Sequence, residues 1–199
     1  MTANLPEASC WARGGRGGIT RRATFAAASS LLMGGALTSC SVVEQVGNGI
    51  ATTHQLTNSS DSMDPTIGEG QVITVHGLAP GTYKPHRQDI VVLHPTAEYS
   101  GLQQSDLMVR RVIGVPGDTV SCDGRGGPLI LNGASLAEPY LHKGDAPSMI
   151  PFDVKIPAGC LWLLGDHRAI ALDCRYHLSD PDHGAIPIAN VVGIYIPKA

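Results

Sequence analysis

The chain has 199 residues, 43% hydrophobic, 16% charged and 5% aromatic, with a formal net charge of −3. That length and apolar share support one domain with a single sizeable core plus a targeting segment. The mild negative charge supplies no basic field for nucleic acid. No Cys or His cluster has zinc spacing and no glycine-rich phosphate loop occurs, so neither metal nor cofactor is expected. Five cysteines, Cys10, Cys40, Cys122, Cys160 and Cys174, form no recognisable framework. Two of the last three pair with one left free, or all three are buried thiols.

Residues 1–40 read as an address. Arg13, Arg16, Arg21 and Arg22 precede an uncharged stretch from Ala23 to Leu37, the order of a basic n-region and an apolar h-region. The stretch ends in Leu37-Thr38-Ser39-Cys40, which resembles a bacterial lipobox with Cys40 as the lipid-bearing residue. The competing reading is an uncleaved anchor, since Ala23 to Val43 is uncharged and just long enough to cross a bilayer core of about 30 Å. In either case the positive flank stays inside and the remainder faces the extracytoplasmic side of the membrane.

Residues 41–57 are expected to be a linker, and residues 58–199 the folded domain. Gln71 to Val75 alternates like a strand, Asp89 to Leu93 reads as a buried one, and Val109 to Val115 runs into Pro116-Gly117-Asp118. Leu129-Ile130-Leu131 leads into Asn132-Gly133, a strong hairpin signal. Phe152 to Ile156, Cys160 to Leu164 and Val191 to Ile196 complete the set. Strands this frequent, with little helical periodicity, predict a mainly β domain.

Four segments, in a fixed order, resemble the bacterial type I signal peptidase (leader peptidase) family in its actinobacterial form. They are Ser60-Asp61-Ser62-Met63-Asp64-Pro65-Thr66-Ile67; Arg87 to Val92; Arg110-Arg111-Val112-Ile113-Gly114-Val115-Pro116-Gly117-Asp118; and Gly165-Asp166-His167-Arg168 followed by Asp173-Cys174-Arg175. One box alone is weak, because Pro-Gly-Asp and Asn-Gly are ordinary turns; four in order are specific. The resemblance implies the signal-peptidase and repressor-protease type of β fold. It also implies a serine endopeptidase acting on signal peptides of exported preproteins, with the membrane as its other partner.

Position by position, the resemblance places the nucleophile at Ser62 and a hydroxyl donor of the oxyanion hole at Ser60. Arg111, Asp166, Asp173 and Arg175 fall where the family has scaffolding ion pairs. Several positions depart from its pattern, with Gln88 in place of a glycine, His167 of an asparagine and Cys174 of a serine, and two more bear on the chemistry. Arg110 stands where the general-base lysine belongs, and Ala171 where a serine orients that lysine. A lysine amine can be brought near neutrality by burial, which lowers its pKa by about 3–5 units. Neutralising an arginine at pH 7 costs roughly 7–9 kcal/mol, and a guanidinium has no acceptor lone pair. Arg110 therefore cannot act as the base. Lys84, Lys143, Lys155 and Lys198 lie outside the boxes, and His167 is the nearest substitute in sequence context. Two functions follow: an impaired endopeptidase, or a catalytically silent paralogue that binds peptides or partners as a surface lipoprotein.

Overall fold

A computed structural model describes residues 52–79, 81–95, 107–180 and 183–198. Among them are the strands β1 (Thr53–Thr57), β2 (Val72–Gly77), β3 (Ile90–Leu93), β4 (Met108–Gly114), β5 (Thr119–Cys122), β6 (Ile130–Leu131), β7 (Ala134–Ser135), β8 (Phe152–Lys155), β9 (Cys160–Leu164), β10 (Ile186–Pro187) and β11 (Val191–Ile196). They form a seven-stranded sheet in the order β1-β2-β11-β3-β4-β9-β10 and a four-stranded sheet in the order β7-β6-β5-β8. Every pairing is antiparallel, and the mainly β expectation holds.

The central strand β3 explains why its sequence reads as an unbroken apolar run. Successive side chains leave a strand on opposite faces. Val91 and Leu93 join a core with Val112, Leu161, Trp162 and Val191, while Ile90 and Val92 join a second core with Met63, Ile67, Ile73 and Val75. A strand buried on both faces has no polar side to show. β8 instead alternates, with Phe152 and Val154 buried and Asp153 and Lys155 exposed. Trp162 is fully buried and packs against Phe152 with ring centroids 5.3 Å apart, which anchors the smaller sheet to the larger.

The expected hairpin is present: Asn132 and Gly133 have φ of 52° and 84° and join β6 to β7. That sign at both central residues is what a type I′ turn requires. The sheet begins earlier than the expected boundary. Thr53–Thr57 pairs with β2 from Thr53↔His76 to Thr57↔Val72, inside the stretch read as linker. Its polar, mostly exposed side chains suit an edge strand and give no alternation to read. Cys122 and Cys174 are both buried, and Cys122 carries a free thiol. The anchor or lipobox segment, with Cys40, lies outside the described residues; among the described ones no helix is long and apolar enough to cross a membrane.

Candidate active site

Ser62 sits in the loop joining β1 to β2, and the loop's shape follows from its polar residues. Asn58 is buried and its side-chain amide donates to the carbonyls of Ser60 (2.7 Å) and Gly68 (2.9 Å). Its backbone closes the neck, with Asn58 N–H on the Gln71 carbonyl at 2.9 Å and Gly70 N–H on the Asn58 carbonyl at 2.7 Å. Met63 and Ile67 form an isolated bridge and bury their side chains completely. The loop is thus pinned at its neck by hydrogen bonds and at its tip by the core.

β9 meets the loop from the other side. His167 N–H donates to the Ser62 carbonyl at 3.1 Å. Gly165 allows this approach: a Cβ on it would lie 2.5 Å from the Ser62 carbonyl oxygen and against the Ala171 methyl, closer than atoms can pack. Glycine is required there by close approach.

Alternation along β4 sends two consecutive guanidiniums to different partners. Arg110, 8% exposed, donates from Nη1 to Ser62 Oγ at 2.8 Å. The same nitrogen reaches the Val109 carbonyl at 2.7 Å, and Nη2 the Leu172 carbonyl at 2.7 Å. The register expected from the sequence therefore brings Arg110 to Ser62. Asp61 and Asp64, the carboxylates nearest in sequence, are engaged elsewhere: Asp61 accepts from Glu69 N–H at 3.2 Å, and Asp64 lies 3.3 Å from His142 Nε2. Ala171 is fully buried beside Leu172, so no hydroxyl faces the guanidinium from that position.

Ser60 and Ser62 are in contact in an informative way. Ser62 N–H donates to Ser60 Oγ at 3.2 Å. The backbone donor that would face a developing oxyanion is turned toward the neighbouring hydroxyl instead.

The scaffold residues hold the frame. Arg111 forms a bidentate, buried pair with Asp166 at 2.8 and 2.6 Å, reaches the Gln88 carbonyl, and lies 3.9 Å over the Tyr140 ring. Thr66 donates to the same carboxylate at 2.5 Å, tying the Ser62 loop to the end of β9. Asp173 takes Arg175 at 2.8 and 2.9 Å and the Gly165 N–H at 3.1 Å. Burial works against the Arg175 charge, and Asp173 more than offsets it, raising the guanidinium's pKa. Cys174 accepts the Leu163 N–H through sulfur at 3.1 Å, so a thiol serves as acceptor where the family carries serine. Sequence reasoning missed Asn58 and Thr66 as positioning residues. An Asn before a turn-rich loop is a general signal, but one of its target carbonyls, that of Gly68, is ten residues away.

Beside Ser62 opens a cavity of about 460 Å³, lined by Leu56, Asn58, Ser60, Ile73, Met108 and Arg110 among others. A deeply placed serine at the mouth of a groove beside an edge strand, with ion-paired boxes behind it, is the arrangement the four motifs imply. Residues 39–196 match the family model described as "Signal peptidase, peptidase S26". The chain belongs to that family.

Among its relatives, signal peptidase IB of Staphylococcus aureus is 33% identical over 69% of this chain and 75% of its own length. Signal peptidase I of Leptolyngbya laminosa is 32% identical over 67% and 62%. A probable signal peptidase I of Mycobacterium leprae is 36% identical over 43% and 37%. The chain thus spans well under two thirds of the mycobacterial relative and slightly under two thirds of the cyanobacterial one.

Proposed function

We propose that this chain is a signal peptidase I-type domain on the extracytoplasmic side of the membrane. It binds extended signal peptides of exported preproteins in the groove beside Ser62 and cleaves them poorly. Residues 1–40 hold it at the membrane, either through lipid on Cys40 or as an uncleaved helix. The peptide adds as a strand beside the segment leading to Ser62. Its small residues meet the apolar floor formed by Leu56, Ile73 and Met108.

The observation that carries the impaired reading is the 2.8 Å bond from Arg110 Nη1 to Ser62 Oγ. In the family's chemistry a neutral amine takes the serine proton as the hydroxyl attacks. Here a permanent cation donates to that same oxygen, and the proton has no acceptor on that side. Hydrolysis then rests on positioning and on donors to the oxyanion. Triad removal in serine proteases leaves such residual rates, down about 10⁴–10⁶ from the intact enzyme.

The silent-paralogue reading is favoured by one further observation, the Ser62 N–H turned onto Ser60 Oγ. Wild type and Ser62→Ala, both in membranes, separate the two readings. A labelled signal peptide with alanines before its cleavage site should bind both proteins with similar affinity. Slow cleavage lost in Ser62→Ala supports the impaired enzyme, and equal background in both supports the silent binder. Failure of both proteins to bind the peptide would refute the assignment of the groove.

A further inference from the structure

Next to the Ser62 loop, side chains from three distant stretches of sequence converge. His142 and His167 stack with ring centroids 3.8 Å apart and planes 16° from parallel. Asp64 Oδ2 lies 3.3 Å from His142 Nε2. One donor atom from each of Asp64, His142 and His167 lies within 4.8 Å of the other two. Asp145 faces both imidazoles, 3.6 Å from His142 Nδ1 and 4.0 Å from His167 Nε2. The Nδ1 atoms of both histidines are buried, and neither makes a hydrogen bond.

We propose that Asp64, His142 and His167 form a binding site for a divalent transition cation of the zinc type, with Asp145 orienting the histidines. The donor set is two imidazoles and a carboxylate, which suits a borderline cation and does not suit calcium or magnesium. A tetrahedral centre with bonds of about 2.0–2.1 Å places its ligand atoms about 3.3–3.4 Å apart. The Asp64–His142 edge already has that length. The remaining edges close by about 1.5 Å or less, and the two rings turn out of their stack so that both in-plane lone pairs meet one ion, by rotation of three partly exposed side chains.

The backbone of the site is already fixed. His142 N–H bonds the Asp166 carbonyl at 3.1 Å, His167 N–H the Ser62 carbonyl at 3.1 Å, and Asp145 N–H the His142 carbonyl at 3.0 Å. Asp145 also accepts the Ala169 N–H at 3.0 Å, which aims its carboxylate at the rings. A carboxylate behind a ligating histidine is the usual outer partner of such a centre. Two buried imidazole nitrogens without a hydrogen bond leave lone pairs or protons here for the ion and Asp145 to engage. Three protein ligands leave a fourth position for water. Because Asp64 is two residues beyond Ser62 and His167 bonds the Ser62 carbonyl, the ion would clamp the Ser62 loop to the end of β9. The cluster escapes spacing rules because no two of its residues are neighbours in sequence.

The test uses the full chain, stripped with chelator and titrated with zinc alone by calorimetry and with cobalt(II) alone by visible absorption. The expected result is one equivalent of zinc and an intense tetrahedral cobalt spectrum. His142→Ala and His167→Ala should each weaken binding by at least about tenfold, and Asp64→Asn should do so too, while His76→Ala on β2 changes nothing. Circular dichroism establishes that each variant is folded, and His142→Gln replaces His142→Ala should the latter not fold. Absent binding, a weak six-coordinate cobalt spectrum, or affinity that survives loss of both histidines would overturn the site. None of these readouts involves peptide cleavage, so the metal site and the proposed function stand or fall separately.

Discussion

Replacing Arg110 by lysine and Ala171 by serine tests the proposed impairment directly. Arg110 Nη1 is 2.8 Å from Ser62 Oγ, and a lysine Nζ in the same rotamer ends about one bond short of that nitrogen. The amine thus falls within a small rotation of the serine. Deprotonating the arginine at pH 7 costs roughly 7–9 kcal/mol, a factor of about 10⁵–10⁷ in the reactive fraction. A buried lysine forfeits little or none of this. The lysine alone leaves the Leu172 carbonyl, now held by Nη2 at 2.7 Å, without its donor, and position 171 offers it no hydroxyl. The single variant should therefore recover only part of the rate.

The double variant should cleave a preprotein at least about 10³-fold faster than wild type, the worth of a restored general base. Its rate should rise with pH as the amine loses its proton, whereas wild type stays flat to about pH 10 because arginine does not titrate there. Cleavage is followed on gels with full-length protein in membranes, over a pH series. A folded double variant that binds peptide and still does not cleave would refute the missing base as the block. So would fast, Ser62-dependent cleavage by wild type.

Three further outcomes follow from the frame. Arg87 holds the Asp118 carboxyl down at about 2, through donors at 2.6 and 2.8 Å helped by Asn132 and Val115 N–H. A depressed carboxylate contributes stability above its unfolded pKa and loses it as pH falls from about 4 toward 2; the loss is at most about 2 kcal/mol because Arg87 is half-exposed. Denaturant titrations at pH 7 and 2.5 should show that Arg87→Ala shrinks the difference, and an unchanged difference would count against the pairing. Asp166→Ala strands the Arg111 charge in a buried site and should cost about 3–5 kcal/mol in the same titration; a cost under about 1 kcal/mol would mean that solvent reaches the guanidinium. Gly165→Ala puts a methyl 2.5 Å from the Ser62 carbonyl oxygen and should cost about 1–3 kcal/mol while weakening peptide binding; unchanged stability and binding would show that the loop yields freely.

What could be read from the sequence was whatever is written contiguously. Gln71 to Val75 alternates because β2 has one buried face, and Asp89 to Leu93 runs apolar because β3 has two. The Arg110–Ser62 contact was legible because a motif kept in register carries its side-chain directions with it. β1, with four of its five residues exposed, carries no such pattern; it exists because β2 offers it an edge. Asn58 is similar, since an amide's targets are set by where the chain returns.

The two departures that bear on the chemistry, Arg110 and Ala171, meet within one residue, since Arg110 bonds the carbonyl of Leu172. Arg110 is held in a buried position by the Val109 and Leu172 carbonyls and the Ser62 hydroxyl, which accept from its two terminal nitrogens. A serine at position 171 would add a further polar group against a guanidinium already bonded to the adjacent carbonyl, so alanine fills the space without an unmet hydroxyl. The surrounding pairs, Arg111 with Asp166 and Arg175 with Asp173, are intact and geometrically tight. The ion pairs that frame the serine persist, while Arg110 and Ala171 alter the positions that would move the proton. That pattern is what the proposed peptide binding with suppressed turnover requires. It is also why two substitutions, rather than a rebuilt site, are expected to reverse it.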